Sequence, residues 1–315
     1  MDILTLNETE IRRLLEPDAL LDALAEGFKA QSDGLVEAPQ RIGVSVPNTG
    51  FLLAMPAYQH GQDITVKLVS VFHDNMRLGL PTHQAIICLF DPETGAPIAL
   101  MDGTAITALR TAGAAALSTR LLARADTHVL AIIGAGTQGR SHLEMLPRVR
   151  PFSEIRIASG NLVHAQELAR ADARARAVGS AEEAVHGADV VCLCTSSSEP
   201  VISRDWLAPG AHVTSVGYAP PGGELDSDVI AQGHLFVETR MAFAAPPAGC
   251  AELVGLDPAI GTEIGEVLLG RAQGRRSESE VTVYKAMGHA FEDMAAASLV
   301  YRRARQEGAG RTVGL

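Results

Sequence analysis

Apolar residues recur at three- and four-residue spacing over residues 8–15 and 17–31, the pattern of two amphipathic helices. The rhythm then shortens. Residues 41–46, 50–55, 64–71 and 85–90 are rich in β-branched and aromatic side chains and predict strands, and the turn Asp91-Pro-Glu-Thr-Gly95 joins the last of them to 96–101 as a hairpin. Residues 105–123 carry one long alanine-rich helix pattern. From His128 onward, apolar strand patterns at 128–133, 154–159, 189–194, 211–216 and 234–238 alternate with helical segments at 141–146 and 162–170. Ser180-Ala-Glu-Glu183 reads as a capping box opening a short helix. The runs at 189–194 and 211–216 are continuously apolar, as expected of strands covered on both faces of a parallel sheet. A last amphipathic helix pattern covers 286–305. The pattern predicts an α/β fold: a doubly wound parallel sheet over 113–289, and an α+β domain over 1–112 made discontinuous by a returning segment, 290–315.

The strand at 128–133 runs into Gly134-Ala-Gly136-Thr137-Gln138-Gly139 and then into a helical segment. Each glycine has a physical task in a dinucleotide fold. Gly134 permits the tight turn, Gly136 lets the backbone approach a pyrophosphate, and Gly139 lets the helix pack close to the sheet. The unpaired N–H groups at the helix start then face the phosphates. With strand and helix both in place, the sheet reads as a Rossmann-type domain that binds NAD(P). A carboxylate at the tip of the second strand would select NAD. The tip here is Ala158-Ser159-Gly160-Asn161, without an acid. Ser159 and Asn161 are placed to donate to a 2′-phosphate, with His164 or Arg140 as a further donor, so NADP(H) is slightly favoured.

Composition narrows the alternatives. A length of 315 residues allows about two domains with buried cores. The net charge of −11 argues against nucleic acid as a partner. No long uncharged apolar run suggests a membrane span, and the acidic Met1-Asp-Ile-Leu-Thr-Leu-Asn-Glu start lacks the basic region of a secretion signal. Cys88, Cys192, Cys194 and Cys250 show no metal or disulfide spacing, which suits a reducing cytoplasm. His60, His73 and His83 fit no ligand signature either, so no metal site is expected.

Several segments together resemble the ornithine cyclodeaminase/mu-crystallin family. They are Val66-Lys67-Leu-Val-Ser, Gly79-Leu-Pro-Thr-His-Gln84, Met101-Asp-Gly-Thr-Ala-Ile-Thr-Ala-Leu-Arg110-Thr-Ala, the glycine loop, Glu263-Ile-Gly-Glu-Val-Leu-Leu-Gly270 and Val283-Tyr-Lys-Ala-Met-Gly288. They occur in the family's order and cover most of the chain. The resemblance implies an NAD(P)-dependent enzyme acting on the C–N bond of a small α-amino or α-imino acid. It also implies a homodimer whose non-Rossmann domain supplies the interface and most of the substrate pocket. The family holds ketimine and pyrroline-carboxylate reductases, amino-acid dehydrogenases and cyclodeaminases that borrow and return a hydride. Mu-crystallin also shows that the scaffold can serve as a nucleotide-binding protein without turnover.

Residue by residue, the resemblance puts Lys67 and Arg110 in catalysis and Arg41, Met55, His83 and Tyr218 around the substrate. An arginine fork suits a substrate carboxylate. A lysine buried in an apolar strand has a depressed pKa, which suits proton exchange. Taken alone, Lys67 also fits a solvated strand face, and Arg41 and Arg110 fit surface charges. On the cofactor side the implied contacts are Thr111, Gly134, Gly136, Thr137, Gln138, Gly139, Ser159, Thr195, Ser196, Gly217, Lys285 and Gly288. The run Thr195-Ser-Ser-Ser198 fits a polar turn equally well. Two positions depart from the cyclodeaminase pattern. Leu53 stands where those enzymes have a glutamate, and Tyr218 or Ala219 falls where they have an aspartate; Asp226 is nearby at the wrong offset. Without these acids a second substrate ammonium would be left unpaired, which disfavours ornithine.

Overall fold

The computed structural model describes residues 2–314, without the side chains of His73 and Met76. The chain forms two compact units, one holding residues up to Arg110 and from His289 onward, the other Thr111–Gly288. The first unit opens with β1 (Asp2–Leu6), α1 (Glu8–Leu14) and α2 (Pro17–Ser32). It continues through β2 (Val36–Glu37), β3 (Ile42–Val46), β4 (Gly50–Gln59), β5 (Ile64–Phe72), β6 (His83–Phe90) and β7 (Pro97–Asp102). Helix α3 (Gly103–Leu122) spans the division. The second unit comprises β8 (Val129–Ile133), α4 (Thr137–Met145), β9 (Glu154–Ala158), α5 (Leu162–Ala169), β10 (Ala175–Ala177) and α6 (Ala181–Val185). Then follow β11 (Val190–Leu193), β12 (His212–Ser215), α7 (Ser227–Gln232), β13 (His234–Val237), β14 (Thr262–Glu263), α8 (Ile264–Leu268) and β15 (Thr282–Lys285). The chain returns to the first unit with α9 (Ala290–Glu307) and β16 (Arg311–Gly314).

The first unit's sheet runs β16-β1-β7-β6-β5-β4-β2, with β3 paired to β4. Only β1 and β7 pair in parallel; the rest is antiparallel. One face lies under α9, which packs on β4, β5 and β6. Helix α2 packs on α9 in turn, with the Phe28 and Phe291 rings edge-on at 4.9 Å. Three strands of this sheet were not foreseen. Asp2–Leu6 form β1, Val36–Glu37 form the two-residue β2, and the expected final segment holds the edge strand β16 after α9. All three are short and carry polar residues, so none shows a period of two. The expected helix over 286–305 begins only at Ala290, because residues 282–285 are a strand and His289 caps the helix.

The second unit's sheet is wholly parallel, in the order β10-β9-β8-β11-β12-β15-β13-β14. The order reverses between β8 and β11, the switch point of a doubly wound sheet, where ligands bind at the carboxyl ends of the strands. Strand β11 is the continuous apolar run that two covered faces demand, with Val190, Val191, Cys192 and Leu193 all fully buried, whereas β12 and β15, equally buried, carry His212, Thr214, Ser215, Thr282 and Lys285. The capping box at Ser180 is half formed. Its hydroxyl accepts the Glu183 N–H, but the Glu183 carboxylate accepts the Gly179 N–H instead. Among the described residues no helix is long and apolar enough to cross a membrane.

Candidate active site

Strand β5 alternates: Thr65, Lys67 and Val69 are buried toward the α9 side, while Val66, Leu68 and Ser70 face outward. Lys67 is therefore 2 % exposed rather than solvated. It lies opposite Met55 of β4 and Ile87 of β6 in the ladder. The buried face of β4 also presents Leu53. Helix α9 brings two acids to this face. The His289 ring accepts the Phe291 N–H and the Glu292 carboxylate accepts the His289 N–H, a capping box that fixes the first turn. Asp293 Oδ2 lies 2.6 Å from Lys67 Nζ. Arg110 of α3 donates through Nε to Asp293 Oδ1 (3.0 Å) and through Nη1 to Glu292 Oε2 (2.7 Å).

Two cations and two anions are thus buried as one set, with no side chain more than 5 % exposed. Isolated ions at such depth would cost several kcal/mol each, so the four hold one another in their charged forms. Burial lowers the Lys67 pKa to about 8 against the pull of Asp293, and Arg110 and Arg41 push the same way. Asp293 is held below the usual carboxylate range, because Arg110 and Lys67 outweigh its burial. His83 opens β6 half-buried; burial first, then Lys67 and Arg110, lower its pKa to about 4, so its ring is neutral at pH 7. The first unit therefore gathers Lys67 and Arg110 directly, with Met55 beside Lys67 and Arg41 and His83 within electrostatic reach.

In the second unit the glycine loop has the geometry a dinucleotide needs. Gly134 has φ +111°, and a Cβ there would lie 2.5 Å from the Cys194 carbonyl oxygen. A Cβ on Gly139 would lie 2.0 Å from the Gly134 oxygen, so the helix reaches the strand only through glycine. Gly136 caps α4 with no side-chain hydrogen bond, and a Cβ on it would meet nothing within 4 Å. The open cradle thus sits at the uncapped, positive end of a helix, beside the exposed Thr137. Gln138 Oε1 is buried without a hydrogen-bond partner. These features fit a pyrophosphate bound through Gly136, Thr137, Gln138 and Gly139. At the β9 tip Ser159 is half-buried, and Asn161 caps α5 by accepting the Val163 N–H.

The loops after β11 and β12 and the end of β15 are tied together by Lys285 and by two acids that sequence reasoning missed, Glu224 and Glu252. Glu224 is fully buried, and it accepts the Thr195 N–H and hydroxyl (2.7 Å each), the Ser215 hydroxyl (3.0 Å) and the Gly217 N–H (2.6 Å). Lys285, also fully buried, donates to Ser215 Oγ, the Gly217 carbonyl and Glu252. Burial alone would lower its pKa, but Cys250, Glu252 and Glu224 raise it on balance. Lys285 therefore shapes the Gly217 loop from inside. Gly288 gives its N–H to buried Glu238, Thr111 is buried on α3, Ser196 is exposed, and Tyr218 is half-buried after β12. Asp226, at the wrong offset for a substrate acid, caps α7. Among the described residues no three His, Cys, Asp or Glu side chains are placed to hold a metal; the His73 side chain lies outside them.

Glu292 and Asp293 were missed in the same way as Glu224. Their one signal is local: Phe291 precedes them and Met294-Ala-Ala-Ala follows, so part of the helix surface carrying them is apolar.

The ornithine cyclodeaminase/mu-crystallin family model matches residues 1–308. The chain belongs to that family. Ketimine reductase mu-crystallin of the mouse (Mus musculus) is a family relative 39 % identical over 285 residues, 89 % of this chain and 90 % of that protein. Among solved structures, the Δ1-pyrroline-2-carboxylate reductase of Thermococcus litoralis, in complex with NADH and L-proline, superposes with a TM-score of 0.93 at 31 % identity. That match covers 99 % of this chain and all of the other. An archaeal alanine dehydrogenase dimer with bound NAD superposes with a TM-score of 0.90 at 30 % identity over the whole of both chains.

Proposed function

We propose that this chain is a reductase of cyclic α-imino acids, with NADP(H) preferred over NAD(H). At the broader level it is an NAD(P)-dependent enzyme of its family, acting on the C–N bond of a small α-amino or α-imino acid. The observation that carries the finer reading is Lys67: a buried ammonium beside Arg110, on a chain whose other unit carries an open pyrophosphate cradle. Bound nicotinamide supplies the hydride. Arg41 and Arg110 hold the substrate carboxylate, and the substrate's α-carbon takes the hydride. Lys67 Nζ gives its proton to the imine nitrogen; its pKa of about 8 keeps it mostly protonated at neutral pH yet willing to donate. Neutral His83 adds no further positive charge to those of Lys67, Arg110 and Arg41. Buried Leu53 stands where a diamine would need an acid, and Met55 is a second apolar side chain on the same strand face.

NADP(H) preference rests on the acid-free tip at Ser159. A homodimer is supported by the outward face of the first unit's sheet, where Ile42, Val44, Leu52, Ile86 and Leu100 stand exposed, Ile42 at 70 %. No disulfide joins Cys88, Cys192, Cys194 or Cys250, which supports a reducing, cytoplasmic setting. The test is nicotinamide absorbance with NADPH or NADH and a panel of pyrroline- and piperideine-carboxylates, beside ornithine with NAD+. One-for-one NADPH loss and amine formation supports the reductase. Proline from ornithine without net cofactor change would establish a cyclodeaminase, and cofactor binding with no turnover would establish a binding protein.

A further inference from the structure

Lys67 is surrounded by charged or titratable groups from four parts of the first unit: Asp293 of α9, Arg110 of α3, Arg41 ahead of β3 and His83 of β6. Of these only Asp293 is an anion. Its two oxygens are divided, Oδ2 at 2.6 Å from Lys67 and Oδ1 at 3.0 Å from Arg110. Neighbouring Glu292 is used differently, on Arg110 and on the cap of α9. Asp293 is also rigidly placed, one turn into a helix fixed by the His289 cap and by Phe291 packing on Phe28.

We propose that Asp293 is the positioning residue of the reduction, holding Lys67 charged and aimed while the same carboxylate aligns Arg110. The inference rests on the reductase reading and extends it to a residue that acts through two others. As the α-carbon gains hydride from NAD(P)H, the C=N π electrons move onto nitrogen, which takes the Lys67 proton. Lys67 is left as a neutral amine and recovers a proton from water, while Asp293 stays ionised throughout. Without the Asp293 charge, burial and the neighbouring cations act on Lys67 unopposed, and it loses its proton at lower pH.

The experiment is the pH profile of kcat/KM for Asp293→Asn, Asp293→Glu and Glu292→Gln beside the wild type. The wild-type profile should fall above a pH of about 8 as Lys67 deprotonates. In Asp293→Asn that limb should move down by about one pH unit or more. It should return toward the wild-type position in Asp293→Glu and stay near it in Glu292→Gln. A folded Asp293→Asn whose turnover drops equally at every pH, with the limb unmoved, overturns the proposal, as does a Glu292→Gln limb displaced as far. Should Asp293→Asn melt too low for kinetics, Lys67→Met/Asp293→Asn decides. The double variant should melt higher than Asp293→Asn alone, since it no longer buries an unopposed ammonium, and a double variant that melts no higher overturns the pairing. That comparison needs no turnover, so it still judges the pairing if the wild type reduces no imino acid and the reductase reading fails.

Discussion

Alanine at position 136 separates folding from cofactor binding in the loop after β8. Gly136 has φ −83° and ψ −160°, backbone that any residue adopts, and an added Cβ meets nothing within 4 Å. Gly136→Ala should therefore leave the unliganded protein within about 0.5 kcal/mol of the wild type, since surface changes away from packed features usually do. Bound nucleotide changes the outcome. In the proposed cradle the new methyl would stand where a pyrophosphate oxygen approaches the helix N–H groups, and losing one hydrogen bond to a charged group costs about 1.5–3 kcal/mol. That corresponds to roughly 10- to 150-fold weaker NADPH binding. Gly139→Ala is the contrasting control. Its Cβ would lie 2.0 Å from the Gly134 carbonyl oxygen, which is backbone and cannot rotate away. It should lose about 1–3 kcal/mol of stability or more before any ligand is added. Urea melts of the unliganded variants and fluorescence titrations with NADPH read the two effects separately. A Gly136→Ala protein that binds NADPH as tightly as the wild type, or that unfolds as early as Gly139→Ala, would refute the cradle.

Three further outcomes follow from particular side chains. His142 and His212 are fully buried, and burial, aided at His212 by Arg275 and Arg150, lowers their pKa values to about 4 and about 3. The unfolded chain then binds more protons below pH 6.5, so their contribution is complete above that value and lost as pH falls. At pH 4 the loss should be about 3 kcal/mol for each, read as a drop in urea midpoint that His212→Gln reduces. For the proposed homodimer, Val44→Asp should give monomers by analytical ultracentrifugation at concentrations where the wild type should self-associate, because Val44 is 66 % exposed on the apolar sheet face; an unchanged dimer would place the interface elsewhere. Ser159→Asp should shift the kcat/KM ratio toward NADH by about tenfold or more, since a carboxylate there repels a 2′-phosphate and accepts from a 2′-hydroxyl. An unmoved ratio would take Ser159 out of cofactor selection.

Most of the framework is legible along the chain because its elements are driven by local pattern. The helices α1 and α2 carry their own caps, Asn7 and Glu16, and the strands β8 and β11 at the centre of the second unit's sheet are unbroken apolar runs. The strand-glycine-helix joint after β8 is local too, and its three glycines occupy positions that differ in φ and in free space. Edge strands such as β16 escape that logic, since pairing with β1 and not burial holds them. The charges escape it for another reason. An acid pair on a helix reads as solvated face, and what neutralises Glu292 and Asp293 sits on α3 and β5, far away in sequence. Glu224 and Lys285 likewise have their roles set by loops from separate strands, a convergence that topology creates and no window of residues displays.

The central claim is that this chain reduces a C=N bond by way of Lys67. The most direct measurement follows NADPH absorbance and the amine product together, for purified wild type and Lys67→Gln, with a cyclic imino acid in excess. The account predicts one amine formed per NADPH consumed by the wild type, and loss of turnover with NADPH binding retained in Lys67→Gln. Undiminished turnover in Lys67→Gln, or ornithine conversion to proline with no net change in cofactor, would contradict it.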